Sequence, residues 1–406
     1  MTSALVHRVD RSAVPTFEAK PWRDDLVQQL RAGMRAVTLY GQREGERVLI
    51  TAVLQANDNS LRLSRTMVTA QFGYHELTTQ DPALHCFERE MHEQTGVRIA
   101  GHPWLKPIRY EGQDQSAMNR YPFYKTEGKE VHEVAVGPIH AGVIEPGSFR
   151  FMCLGEQVHH LELHLGYQHR GVERLLRQED PRRLAPLVET IAGDTSVAHA
   201  WAYCAAIESL SECELAIEVE IARAVALEIE RLAMHLSGLA GLAADVGFLQ
   251  GATTYGRLRT TVINTMMRLC GSRFGRGAVR PGGIGMQLPS ELRSEVRANI
   301  EFVRKDLAII NECFLAAKTV QHRLRSVGVL KEAQARELGI VGMAARASGV
   351  TLDTRHQMHQ GAYQVLPVRA AVLSDGDCWA RALIRIEEME NSLDWLATIL
   401  ALYPTW

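Results

Sequence analysis

Between Glu212 and Leu242 apolar residues recur at Leu215, Val219, Ala222, Ala226, Ile229, Ala233, Leu236 and Ala240. The steps alternate four and three without a break. Only an α-helix returns residues at that spacing to one stripe, and so long a stripe needs other helices to cover it. The chain must therefore supply a bundle, and it does. Residues 252–270, 289–318 and 376–400 read as three more long helices. The second of these carries a Pro near its start, where a missing N–H costs least.

The N-terminal part has a different period. Residues 35–40, 47–54 and 60–67 alternate or are rich in β-formers, and Gly45 and Asn57-Asp58-Asn59 mark turns between them. This predicts a small antiparallel sheet. Asp81-Pro82 predicts a capped helix through Phe87 and Met91 that stops near Gly96. Residues 1–20 lack periodicity and read as a loose arm, 21–110 as an α+β domain, and 111–132 as a polar linker. Residues 133–406 form a second domain. It opens with strands at 143–144, 148–154 and 157–165, turned at Pro146-Gly147 and Gly155-Glu156. The expected fold class is an α+β N-terminal domain followed by a mainly α-helical bundle domain with a small antiparallel β element.

The chain has 406 residues, 46% of them hydrophobic, and a net charge of −2. That gives no basic footprint for nucleic acid and no polybasic membrane anchor. The longest nearly apolar run, Leu232 to Leu249, is interrupted by His235 and Asp245, so no membrane span is expected. The N-terminus shows no signal-peptide pattern. A cytoplasmic protein is expected, with any membrane contact peripheral or through partners. Seven cysteines are scattered with no C-x-x-C pair. They read as buried free thiols rather than a local zinc or iron–sulfur site.

Several stretches could carry chemistry. Ile191-Ala192-Gly193-Asp194-Thr195 reads as a turn into a helix running to Glu208. Asp194 or Thr195 is the candidate N-cap, and the first N–H groups could favour an anion or polar ligand. An ordinary capped helix is the plainer reading. In the loop Gly137–Gly147, His140 and Glu145 could hydrogen-bond or exchange protons with a ligand, or could simply be solvated. On the strand 157–165, His160 and His164 share a face and His159 points away. Arg170 could pair a carboxylate, face a charged cofactor, or bridge to Glu173. Arg280-Pro281-Gly282-Gly283-Ile284-Gly285 fits neither phosphate-binding fingerprint and reads as tight backbone packing. Glu214, Glu218, Glu220, Glu228, Glu230 and Arg231 read as a solvated or pair-forming face of the long helix. Any that are buried would be candidates for a proton path.

The order of these stretches resembles a known family. Gly137-Pro-Ile-His-Ala-Gly-Val-Ile-Glu-Pro-Gly, Leu165-Gly-Tyr-Gln-His-Arg-Gly-Val-Glu, Gly193-Asp-Thr-Ser-Val-Ala-His-Ala, Glu230-Arg-Leu-Ala-Met-His-Leu, Arg280-Pro-Gly-Gly and Ala345-Arg-Ala-Ser-Gly-Val carry the resemblance. It is to the large subunit of energy-converting nickel–iron hydrogenases of the formate hydrogenlyase type, and to the matching peripheral-arm subunit of respiratory complex I. Leu84-His-Cys-Phe-Glu-Arg-Glu-Met resembles the small neighbouring complex I subunit, fused at the N-terminus.

The departures are as informative. In true nickel–iron hydrogenases the turn reads Cys-Gly-x-Cys, where this chain has Ala192-Gly193-Asp194-Thr195. Neither an Ala side chain nor a Thr hydroxyl replaces a nickel thiolate. A second cysteine pair near the C-terminus is also missing. The family's quinone-site His matches His140, and its quinone-binding Tyr falls at Gly193.

The resemblance implies an oxidoreductase complex subunit, associated with NAD and quinone chemistry and with proton translocation, but lacking a nickel–iron centre. It would sit peripheral to the inner membrane through partner subunits: an iron–sulfur small subunit and membrane-embedded subunits. No cofactor is expected to be bound by this chain itself; a quinone in an adjoining cavity and an iron–sulfur cluster in a neighbouring subunit are the implied groups. His140 and Glu145 are the implied proton-handling residues. Arg170, Gly193, Asp194, Thr195 and His199 are the implied cofactor-side residues, and no metal ligand is expected. The alternative is a structural and coupling scaffold with no redox site.

Overall fold

A computed structural model describes residues 8–111, 116–140, 146–193, 195–357 and 361–403. The chain divides into two compact units. One is Val9–Gly171 with Glu337–Gly339, and the other is built from Val172–Arg336 and Ile340–Trp406. The expected linker at 111–132 thus falls inside the first unit.

In that unit strands Arg35–Glu44, Arg47–Gln55 and Leu61–Thr69 pair antiparallel as the alternation requires. Gly45 and Asn59 turn them with positive φ. The arm expected over 1–20 is partly built in. Thr16–Phe17 adds a parallel strand beside Arg65 and Thr66. Helix Ala19–Arg31 then buries Trp22 on the sheet, its indole N–H donating to Ser64 at 3.1 Å. Helix His85–Thr95 follows a turn that Asp81 caps and stops at left-handed Gly96, as expected. It meets the sheet at Gly41, where a Cβ would lie 2.9 Å from Met91.

A second sheet has strands Val131–Val136, Ser148–Leu154 and Gln157–His164, all antiparallel. Its first strand falls where the sequence reading put a linker end, and the strand expected at 143–144 lies outside the described residues. The faces of its third strand are inverted. Leu161 and Leu163 are exposed while His160, Glu162 and His164 point inward, with His159 outward as expected. The inward polar face is made tolerable by partners. Lys106 Nζ reaches Glu162 at 2.8 Å and His164 at 2.7 Å, and Phe123 stacks on the His164 ring. A buried ammonium is stable only with such neighbours. His164 Nε2 accepts from Lys106, which commits that nitrogen to the ion pair.

The other unit is the bundle. Its long helix is Ile217–Asp245, five residues later than the periodicity suggested, because Glu212 takes a positive φ and ends the preceding helix's turn. It packs on Leu249–Cys270 and Cys378–Leu402, and Ser290–Ala316 closes the group. Ile229, Leu232, Leu236, Leu258, Ile300, Leu307, Leu393 and Leu396 share one core. Each such side chain contributes about 1.5–3 kcal/mol on burial, which holds a helix of this length in place.

Candidate functional site

The turn at 189–196 leads into helix Val197–Leu210. Its N-cap is Ser196, whose side chain makes no cap bond. Thr195 is therefore not the cap expected from the sequence, and Asp194 lies outside the described residues. The cap comes from elsewhere in the chain. The Glu230 carboxylate, on the long helix, accepts the N–H of Ser196 at 2.7 Å, Val197 at 2.8 Å and Ala198 at 3.2 Å. Two carboxylate oxygens can satisfy three orphan donors where a hydroxyl satisfies one, and the helix dipole favours the charge. Burial raises the Glu230 pKa, while the three N–H bonds and nearby Arg231 pull it back.

Two further buried carboxylates fix the surroundings of this turn. Glu189 accepts the N–H of Gly277 at 2.6 Å. Glu208 takes a bidentate pair from Arg223, at 2.6 and 2.9 Å, and the N–H of Gly282 at 2.7 Å. Arg223 also donates to the carbonyls of Arg280 and Gly283. The glycine-rich stretch is thus a small hairpin clamped by an ion pair, which agrees with tight packing and leaves it no phosphate cradle.

Behind Glu230 the long helix carries the largest departure from the sequence reading. Glu228, expected on a solvated or pair-forming face, does form ion pairs but is fully buried. It meets Arg355 at 3.2 Å, Arg231 at 3.2 Å, Tyr363 at 2.7 Å and Ser392 at 2.6 Å. One turn or two further along, His235 Nε2 donates to Glu388 at 2.6 Å, and Glu388 also accepts from Arg346 at 2.8 Å. Arg385 donates to His235 Nδ1 at 3.3 Å. Burial, with the two flanking guanidiniums, outweighs Glu388 and lowers the His235 pKa. The Glu388 carboxyl is held down to about 2 by His235 and Arg346 against its own burial, and Asp353 to about 2 by Arg355. Glu228, Glu388, Arg346 and Arg355 were not legible as a set because their spacing is non-local. The available signal was charge within an otherwise apolar helix, at Glu228, Glu230 and His235.

The residues singled out from the sequence divide between the two units. Thr195 and His199 belong to the turn and the first turns of its helix, and burial lowers the His199 pKa. Gly193 is exposed, and a Cβ there would meet nothing within 4 Å. His140 and Arg170 belong to the sheet unit. His140 Nε2 lies 2.8 Å from the carbonyl of Gly147 and its ring is edge-on to Phe149. A carbonyl only accepts, so Nε2 carries the hydrogen, and Nδ1 is the atom left for any ligand. Arg170 is exposed, and Glu145 lies outside the described residues.

Ala192 and Thr195 offer no soft donor where a nickel–iron centre needs two thiolates, so the residues present do not fit that group. Among the described residues no cluster of three or more His, Cys, Asp or Glu is placed to hold a metal ion. Also among them, no helix is long and apolar enough to cross a membrane.

The bundle unit is thus a helical body with one polar turn locked by buried carboxylates, and known proteins share much of its sequence. Residues 245–405 match the family described as respiratory-chain NADH dehydrogenase, 49 Kd subunit. The chain is 29% identical over 279 residues to the alpha subunit of the membrane-bound hydrogenase of Pyrococcus furiosus, covering 67% of this chain and 65% of that one. It is 29% identical over 283 residues to an NADH-quinone oxidoreductase subunit of Campylobacter concisus, covering 70% and 69%. With formate hydrogenlyase subunit 5 of Escherichia coli it shares 28% over 344 residues, 79% of this chain and 60% of that one. The chain thus spans less than two thirds of the length of the first and last of these relatives. Its sequence is thus similar to large subunits of both complex I and membrane-bound hydrogenases.

Proposed function

We propose that this chain is a peripheral subunit of a membrane-associated, complex I-like redox complex that has no nickel–iron centre. In this reading it works beside an iron–sulfur small subunit and membrane-embedded subunits. It offers a thiolate-free polar turn to a quinone or similar acceptor, and couples electron transfer to proton movement. The observation that carries the reading is the joint match to a hydrogenase subunit and a quinone oxidoreductase subunit in a chain whose turn reads Ala192-Gly193-Asp194-Thr195. A scaffold that kept the nickel site would need its thiols; one adapted to an organic acceptor needs hydrogen-bonding groups instead.

Exposed Gly193 leaves open space for a ligand on the outer side of the turn. His140, with Nε2 committed to Gly147, would contact a ligand through Nδ1, as an acceptor when neutral and as a donor only when charged. Glu145, Asp194, Thr195, His199 and Arg170 are the further residues that the family resemblance implicates. Purifying the complex through this chain tests the reading. Co-purification of iron–sulfur and membrane subunits with quinone reductase activity that falls in His140→Ala supports it; a complex without quinone reactivity overturns it.

A scaffold with no redox site is the second reading, favoured by one observation. The cavity beside Glu230, lined also by Met234, Arg259 and Phe274, is about 10 Å³, no larger than one water.

A further inference from the structure

The second sheet sorts its residues onto two unlike faces. Side chains alternate across a strand, so cross-strand partners share a face. Val134 stands opposite Phe151, and Phe151 opposite Leu161; Val136 stands opposite Phe149, and Phe149 opposite Leu163. These six form two apolar rows on one side of the three strands. The charges go to the other side. Arg150 stands opposite Glu162 there, donates to Glu133 at 2.5 Å, and sets its guanidinium 4.1 Å from the Phe123 ring centre. An antiparallel sheet ordinarily turns its apolar face to a core and its polar face to water. Here the uncharged face is the open one. Val134, Val136, Leu161 and Leu163 are each 41–46% exposed, and the two Phe rings between them are half-buried.

We propose, resting on the function above, that this face docks a partner subunit of the complex that presents an aliphatic, uncharged surface of its own. Three features select that occupant. The patch exposes roughly 400 Å² of apolar surface, the size at which a patch marks a contact rather than scattered residues. That is about half of the roughly 800 Å² per partner in a stable two-protein contact, so a second copy of this chain held by this face alone would not persist. A fellow subunit, held at other places too, needs no larger patch. Adsorption to an anionic bilayer draws on basic residues beside the apolar ones, and none of the three strands places a Lys or Arg on this face. A partner recognised by charge finds nothing to pair with there either. The six side chains act together by leaving water when the partner covers them.

The test purifies the complex natively through this chain, as wild type, Leu161→Glu or Val134→Glu, and reads the amount of each co-purifying subunit per chain. A carboxylate forced into an apolar contact weakens it steeply. Each variant is expected to lose at least one partner subunit by at least about tenfold. The free variant chain should keep its thermal midpoint, because the replaced side chain is already open to water. Leu161→Gln, which is uncharged, serves should a glutamate variant fail to fold, and should show a smaller loss. Partner subunits retained at the wild-type level in all three variants overturn the proposal. So does a wild-type chain that purifies alone. Light scattering and flotation on phosphatidylcholine–phosphatidylglycerol vesicles check the other occupants. A free chain that dimerises or binds vesicles, and stops doing so in Leu161→Glu, assigns the face to a second copy or to lipid and overturns the partner subunit. Subunit retention is read without quinone activity. A complex that loses a subunit in the variants, yet reduces no quinone as wild type, rejects the quinone reading and leaves the docking surface standing.

Discussion

Glu88 in the sheet unit and Glu228 in the bundle are both completely buried, and the two are stabilised in opposite ways. Glu88, in the sheet unit, is surrounded by neutral donors. It accepts from Tyr74 at 2.6 Å, from the Thr78 hydroxyl at 2.6 Å, and from the N–H of Leu77 and Thr78 at 3.0 Å. Burial outweighs these four bonds and its pKa is raised. Glu228, in the bundle, has hydroxyls too, but also Arg231 and Arg355. Burial opposes ionisation there as well, yet the guanidiniums more than reverse it and the pKa is lowered. The difference shows what decides the charge of a buried acid. Dipoles can satisfy an anion's hydrogen bonds, but a full opposite charge is needed to offset its lost hydration.

The comparison breaks most sharply by deletion. Glu228→Ala leaves Arg355 with Asp353 as its carboxylate partner, removes the carboxylate that Arg231 faces, and deprives Tyr363 and Ser392 of their acceptor. It is expected to cost about 3–5 kcal/mol or to unfold the bundle unit. Chemical denaturation followed through Trp201, Trp379 and Trp395, which all lie in that unit, measures it. A loss under about 1 kcal/mol would show that the guanidiniums do not control this site. Glu88→Gln keeps shape and most hydrogen bonds and removes only a charge that burial already disfavours. It should cost no more than about 1–2 kcal/mol, read through Trp22 in the other unit.

Acid sharpens the same contrast. Glu388 and Asp353 have folded pKa values near 2, below the ordinary 4.5 and 3.8. Their contribution is complete above those ordinary values and is lost as pH falls toward 2. The bundle unit should therefore weaken steadily on acidification across that window. Glu88 has the opposite sign. Its contribution is complete below 4.5 and declines as pH rises through its raised value. Glu88→Gln should remove that decline from the sheet unit's pH–stability profile. Parallel acid profiles for the two units would contradict the assignment.

A separate expected effect concerns the second sheet. Lys106→Met keeps an apolar stem but removes the ammonium that lies between Glu162 and His164 and over the Tyr121 and Trp104 rings. A loss of about 1–3 kcal/mol from the sheet unit is expected. An unchanged midpoint would mean that the polar inward face is held by its aromatic neighbours alone.

Much of this architecture was legible because it is periodic. The seam through Ile229 and Leu236 announced the bundle, and Gly45 and Asn59 placed the turns of the first sheet. What could not be read is non-local. Glu230 caps a helix more than thirty residues earlier, and Glu228 meets Arg355, Tyr363 and Ser392 from three later segments. No local spacing encodes such meetings. The second sheet defeated the alternation rule for a different reason. On its third strand Leu161 and Leu163 face outward while Glu162 and His164 face inward, and Lys106, far earlier in the chain, pairs with both. At the turn, the residues Ala192 and Thr195 told against nickel from sequence alone, while the identity of the cap did not emerge until Glu230 was placed.

Whether this chain works in a redox complex without hydrogen chemistry is tested most directly by elemental analysis of the complex purified natively through it. Abundant iron from neighbouring clusters, no stoichiometric nickel, and no hydrogen uptake or evolution are predicted. Roughly one nickel per chain, retained through purification and accompanied by hydrogenase activity, would contradict that prediction.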